Sequence, residues 1–284
     1  MVDDNAVCYR HPDRRAAVGC QRCDRPICST CMTSASVGFH CPECTKSGAQ
    51  KVYRARDLGS KPTLVYAVIG LCVAAFVGQV LSGEGDWFRG SFYENGVLFG
   101  PLVDNGEYWR MLTSGFLHAG ILHLAFNMYA LYIFGPAVQR AVGWGRTALI
   151  YAGGLFGGSA AVLLFNWDSP TLGASGAVLG LAGGLAGILY ARGINITQTS
   201  LGGIFLINLA LPFFTNISFW GHFGGIAGGF IVAMAMSAFD GPQRSPSMQD
   251  RSGPSPAIVA GGLVVIGLIA LGVLGARLAL SPIL

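Results

Sequence analysis

The 284 residues are 52% hydrophobic and only 11% charged, with a formal net charge of +4, whereas soluble proteins carry about 25% charged side chains. Mean hydropathy is +0.53, and the 42 glycines are about twice the usual share of roughly 7%. So little charge cannot cover a soluble globule of this size, and a secreted disulfide scaffold, a disordered tail and a DNA-binding module all fit poorly. A polytopic membrane protein fits, because lipid gives apolar helices no hydrophobic reason to associate and glycine lets their backbones approach.

Residues 1–62 hold ten of the 18 Lys and Arg and seven of the eight Cys, after which both become sparse. That shift predicts a boundary between a small module over 1–50, a basic linker over 51–62 and a membrane part beyond. No apolar stretch follows Met1, so the module is expected to stay in the cytosol. In a reducing compartment its cysteines read as metal ligands rather than disulfides. The spacing is Cys8-x2-His11, Cys20-x2-Cys23, Cys28-x2-Cys31 and Cys41-x2-Cys44, which is eight ligands, enough for two tetrahedral Zn²⁺. A redox or iron–sulfur role is the competing reading. The pattern resembles a B-box or related cross-brace zinc finger, and that resemblance implies one metal shared by the first and third pairs and another by the second and fourth. The resemblance implies contact with protein, while Arg10, Arg14, Arg15, Arg22 and Arg25 point to anionic lipid headgroups as the alternative; nucleic acid is not expected.

Apolar runs follow at roughly 63–81, 120–138, 147–165, 172–190, 200–214, 218–238 and 257–280, most near the ~20 residues that span a bilayer. The expected fold is all-α and polytopic, with six helices over 63–240, a Pro/Ser-rich linker over 241–256 and one more transmembrane helix over 257–284. With a cytosolic N-terminus, fifteen Lys and Arg fall inside and three outside, as the positive-inside rule requires. The chain is therefore expected to be a multi-pass cell-membrane protein with its C-terminus outside.

Polar side chains inside a span default to functional roles. Here they are His118, His123 and Asn127 around the second span, Ser175 in the fourth, Asn208 in the fifth and His222 in the sixth. Spans 2, 4 and 6 run the same way across the membrane, which puts His123, Ser175 and His222 in one layer, Ser175 roughly 5–8 Å below the outer end of its span at 1.5 Å per residue. His123 and Asn127 are four apart and share a helix face. Glycines at four-residue spacing, Gly176, Gly180 and Gly184 in one span and Gly221, Gly225 and Gly229 in another, allow the approach that lets a Ser hydroxyl meet an imidazole.

Trp109-Arg110, His123-x-x-x-Asn127, Gly173-x-Ser175-Gly176 and Gly221-His222-x-x-Gly225, in that order over about 63–240, resemble the rhomboid intramembrane serine proteases. The resemblance implies Ser175 as nucleophile, His222 as general base, and His123, Asn127 and the Ser175 N–H as oxyanion donors. It implies structural roles for Gly173, Gly176, Gly225, Glu107, Trp109, Arg110 and His118, and no catalytic cofactor. Some members carry an aromatic residue four positions after the serine, where this chain has Leu179. The implied activity is a serine-type endopeptidase that cuts single-span membrane proteins close to the outer face; the alternative is a catalytically idle rhomboid-like adaptor or chaperone. Loop 1, roughly 82–119, is rich in Trp, Tyr and Phe and is expected at the outer interface.

Overall fold

A computed structural model describes residues 6–35, 37–47, 62–215, 217–239 and 255–278. The chain divides into two compact units, residues 1–59 and 60–284. The expected 51–62 linker and nearly all of the 241–256 linker lie outside the described residues.

The first unit is three two-stranded antiparallel ribbons, β1 (Val7–Cys8) with β2 (His11–Arg15), β3 (Val18–Gly19) with β4 (Pro26–Ile27), and β5 (Thr33–Ser34) with β6 (Phe39–His40), closed by a short helix α1 (Pro42–Ser47). Its buried interior consists of Ile27 and five cysteines, with Tyr9, Val18, Met32 and Phe39 packed around them. One large aliphatic side chain is too little core for a unit of this size to fold alone. Outside that core the Tyr9 hydroxyl donates to Glu43, and Arg25 sits 5.3 Å above the Tyr9 ring.

The second unit is helical. All seven apolar runs form helices: α2 (Thr63–Ser82), then, after the loop-1 helices α3 (Gly90–Gly96), α4 (Gly100–Asp104) and α5 (Arg110–Thr113), the helices α6 (Ile121–Val142), α7 (Trp144–Phe165), α8 (Ser175–Ala191), α9 (Ser200–Ala210), α10 (Phe219–Ala238) and α11 (Pro256–Leu278). Among the described residues α2, α6, α7, α10 and α11 are long and apolar enough to cross a membrane; α8 and α9 are shorter. The outward face of α6 shows why lipid is the solvent. Leu122, Phe126, Tyr129 and Ile133, spaced as one helical stripe, are each about half or more exposed, a patch that water would not tolerate. The protein is thus a multi-pass membrane protein with a small cysteine-bearing unit before it.

α7 is the central post, and α10 packs against both α7 and α8 through interleaved glycines. A Cβ on Gly225 would lie 2.3 Å from the Gly176 carbonyl oxygen, and one on Gly224 would lie 2.4 Å from that of Gly157. Backbone fills the Gly225 contact, and at Gly224 the Ala161 methyl joins it at 2.5 Å. Loop 1 is anchored rather than loose: Arg110 is buried, its Nε and Nη2 donate to Glu107 Oε2 at 2.7 and 2.5 Å, and its Nη1 donates to the Val97 carbonyl at 2.9 Å. The next residue, Leu98, exchanges two backbone hydrogen bonds with Thr171, at 3.0 and 2.8 Å, and Trp109 Nε1 donates to Asn95. Gln79, fully buried on α2, clamps the other end of loop 1 by donating to the Trp87 and His118 carbonyls and accepting from the His118 N–H. α11 packs on α7 and on loop 1, where Ala276 joins Leu98, Val103, Met111, Val162 and Leu163 in one buried cluster and Arg277 donates to the Tyr108 hydroxyl at 2.8 Å.

Candidate functional site

A cavity of about 790 Å³ opens between loop 1 and helices α6, α8, α9 and α10, and Ser175, His222, His123 and Asn127 all line it, with Gly173, Gly176 and Leu179. The residues expected from three separate spans thus reach one space.

Ser175 sits differently from the sequence expectation. The apolar run starts at 172, but the helix starts at Ser175 itself, because Gly173 holds φ +128° and breaks the ladder. Ser175 is therefore an N-terminal residue of α8, whose first N–H groups have no intrahelical acceptor. A helix start also favours negative charge. The preceding segment is fixed from outside: Gly173 N–H donates to the Ser114 carbonyl at 2.9 Å, beside the Leu98–Thr171 pair that Arg110 steadies. This gives Trp109-Arg110 a physical link to the serine.

A Cβ on Gly173 would lie 2.8 Å from Cε1 and 3.0 Å from Nε2 of His123, and 3.8 Å from Ser175 Oγ. Only glycine leaves that space open, and it is bordered by the His123 ring nitrogen and the serine hydroxyl. His123 Nδ1 accepts from the Ala119 N–H at 3.2 Å. A nitrogen that accepts carries no proton in the neutral ring, so the hydrogen of His123 is on Nε2, the atom facing the space. Asn127 donates one amide hydrogen to the His123 carbonyl at 2.9 Å; the amide has two, and the residue borders the cavity. His118 is buried, packs edge-on to His123 with centroids 5.3 Å apart, and leaves Nε2 without a hydrogen-bond partner among the described residues.

His222 is the fourth residue of α10 and is buried. Gly176, the neighbour of Ser175, lies against Gly221, the neighbour of His222, with 3.3 Å from its Cβ position to the Gly221 oxygen. Nδ1 of His222 is 2.9 Å from the backbone carbonyl of Asn208 on α9. A carbonyl can only accept, so Nδ1 carries the proton and Nε2 keeps a free lone pair. That is the tautomer a general base needs, held by a backbone oxygen in the position an aspartate takes in a triad. Asn208 was marked in the sequence only as a polar span residue; its carbonyl role was not foreseen. Leu179 is buried at the cavity wall.

In the first unit, ligand atoms gather in two sets, Cys8, His11, Cys28 and Cys31, and Cys20, Cys23, Cys41 and Cys44, each within 4.8 Å. The pairing is first with third and second with fourth. His11 Nδ1 lies 3.8, 3.5 and 3.3 Å from the sulfurs of Cys8, Cys28 and Cys31, and Cys23 and Cys41 sulfurs are 3.8 Å apart. A tetrahedron with Zn–S ≈ 2.3 Å and Zn–N ≈ 2.0–2.1 Å has edges of about 3.5–3.8 Å, so both sets fit that ion. Charge tells the same story. A hydrogen bond from Thr30, then contacts with Cys8 and His11, hold the Cys28 thiol down at about 6 against burial, while burial and the neighbouring Cys8 and Cys28 push Cys31 up to about 11. Hydrogen bonding to Cys41 and Cys23 likewise pushes Cys44 up to about 12. Clustered thiols ionise only in part unless a cation offsets their like charge.

The model of the Rhomboid domain matches residues 105–239. The chain is 38% identical over 180 residues, 62% of its length, to Rhomboid protease GluP of Bacillus subtilis (strain 168), covering 35% of that relative. It is 37% identical over 136 residues, 46% of its length, to Putative rhomboid protease YdcA of the same organism, covering 68% of it, and 36% identical over 141 residues, 48% of its length, to RHOMBOID-like protein 6, mitochondrial, of Arabidopsis thaliana, covering 46%. The chain spans between about a third and a half of the first curated relatives it matches. With more than two thirds of the YdcA relative covered at 37% identity, and the matched segment holding Ser175, His222, His123, Asn127 and the Trp109-Arg110 brace, this chain belongs to the rhomboid family.

Proposed function

We propose that the protein is an intramembrane serine endopeptidase that cuts single-span membrane proteins near the outer face of the membrane. The observation that carries this reading is the Asn208 carbonyl on His222 Nδ1, which leaves Nε2 as a base at the cavity that Ser175 also lines. His222 Nε2 takes the proton of Ser175 Oγ as the oxygen attacks the scissile carbonyl. The oxyanion forms beside Gly173, where His123 Nε2–H, the free Asn127 amide hydrogen and the Ser175 N–H meet it. The protonated His222 gives its proton to the leaving amine, and water from the outer face then releases the acyl group. Shallow placement supports that step, since Ser175 begins its helix. A peptide bond inside a regular helix is shielded by its own hydrogen bonds, so substrates should carry helix-weakening residues near their outer ends.

Residues 1–50 would form a cytosolic module with two structural Zn²⁺, held by the two sets above, which contacts protein or anionic lipid; 63–240 would be the protease core, 257–284 an added helix ending outside. The Lys/Arg asymmetry supports this orientation.

The test is a fluorophosphonate probe and a single-span test substrate with purified protein in liposomes, beside Ser175→Ala and His222→Ala. Labelling and cleavage lost in both variants is the expected result. Folded wild-type protein that neither labels nor cleaves a panel of substrates would replace the protease reading with the adaptor one.

A further inference from the structure

The Asn208 carbonyl is available to His222 for a reason written four residues on. In an α-helix the carbonyl of residue i accepts the N–H of residue i+4, and for Asn208 that position is Pro212, which has no N–H. The ladder is intact one step earlier, where Leu211 N–H reaches the Ile207 carbonyl. At the next step it has no donor to offer, and the carbonyl lies 2.9 Å from His222 Nδ1 instead. Inside a membrane an unmet carbonyl is costly, so the vacancy and the imidazole proton hold each other.

We propose that Pro212 is a positioning residue for the catalytic base: by removing one helix donor it reserves the Asn208 carbonyl for His222 and so fixes the proton on Nδ1 and the lone pair on Nε2. This deepens the proposed function and rests on His222 being the base. α9 also packs through Leu201, Ile204 and Phe205 against α8 and Phe230 of α10, so the bond adds a polar tie to His222 on top of apolar contact.

The test uses the full chain in lipid nanodiscs with ¹⁵N-labelled histidine, the His222 signals being assigned by their loss in His222→Ala. Wild type should show a protonated Nδ1 and an unprotonated Nε2. Pro212→Ala returns an N–H to compete for the carbonyl; it should mix the two tautomers and slow probe labelling about tenfold, the scale of one hydrogen bond. Replacing Pro212 with lactic acid gives the alanine side chain without the N–H and should restore both readouts. A wild-type tautomer and rate in Pro212→Ala would overturn the proposal. So would equal losses in the alanine and lactic acid variants, which would assign the effect to helix shape. The tautomer is read whether or not the chain is active, so a tautomer that responds in a protein that never labels would sink the protease reading alone.

Discussion

Gly225→Ala tests whether backbone contact between α8 and α10 sets the geometry of the site. The added methyl would lie 2.3 Å from the Gly176 oxygen, 2.7 Å from its Cα and 2.8 Å from its carbonyl carbon. All three are backbone atoms, so no rotamer change relieves the clash, and reaching an ordinary contact of about 3.4 Å requires the helices to part by about 1 Å. Overpacking of this kind costs about 1–3 kcal/mol. The larger effect is on chemistry. Gly176 adjoins Ser175, and Gly225 lies three residues from His222, so the parting moves the proposed nucleophile from the proposed base; a 1 Å misplacement costs about 100-fold in rate. The assay is the rate of fluorophosphonate labelling, with thermal unfolding measured on the same samples. Gly262→Ala on α11 is the control, because its methyl meets nothing within 4 Å. A Gly225→Ala protein that labels at the wild-type rate would refute the view that this contact spaces the two residues.

Three further outcomes follow from the same geometry. Metal analysis of the purified full chain should find two zinc ions per molecule, falling to about one in Cys28→Ser and in Cys41→Ser, and a strong chelator should unfold residues 6–47; sub-stoichiometric zinc in folded protein would count against both sites. Arg110→Ala removes three charge-assisted hydrogen bonds from a buried position and should cost about 2–3 kcal/mol, seen as a lower unfolding temperature in detergent, and Arg110→Lys should not rescue it because an ammonium cannot make the forked contact. Gln79→Leu leaves the Trp87 and His118 carbonyls and the His118 N–H unmet; limited proteolysis should then cut loop 1 faster than in wild type, and unchanged cutting would mean that the clamp does not hold the loop.

Most of the seven apolar runs were legible because they are long and uniform enough for their helices to need no detailed packing argument; the short 200–214 run was read from the Pro212 break and the apolar run that follows it, and the ends of all seven agree with the helices within a few residues. The start of α8 was not legible to that accuracy. Leu172, Gly173 and Ala174 are apolar like the helix they precede, and composition cannot tell that Gly173 turns to positive φ and leaves Ser175 at the helix start. The short helices of loop 1 were missed for the opposite reason: their length and shape come from Arg110 on the Val97 carbonyl and from the Leu98–Thr171 pair, contacts between residues well apart in sequence. Among site residues, Ser175, His222, His123 and Asn127 stood out as polar atoms in apolar runs. Asn208 was visible but its relevant atom was not, since a backbone carbonyl leaves no mark on composition. The signal was the proline four positions later.

The contact of α11 with loop 1 has a consequence for synthesis. Arg277 and Ala276 settle against Tyr108 and Met111, some 165 residues earlier, so the wall behind the cavity cannot be finished until α11 leaves the ribosome. At ~5–20 residues per second, on the order of 3–10 s separate the emergence of His222 from that of Arg277. During that interval Ser175 and His222 have already been made while loop 1, which holds Gly173 through Ser114, lacks its contact with α11. A nascent chain thus carries its own delay, and the scaffold around the site first closes once residue 277 has emerged.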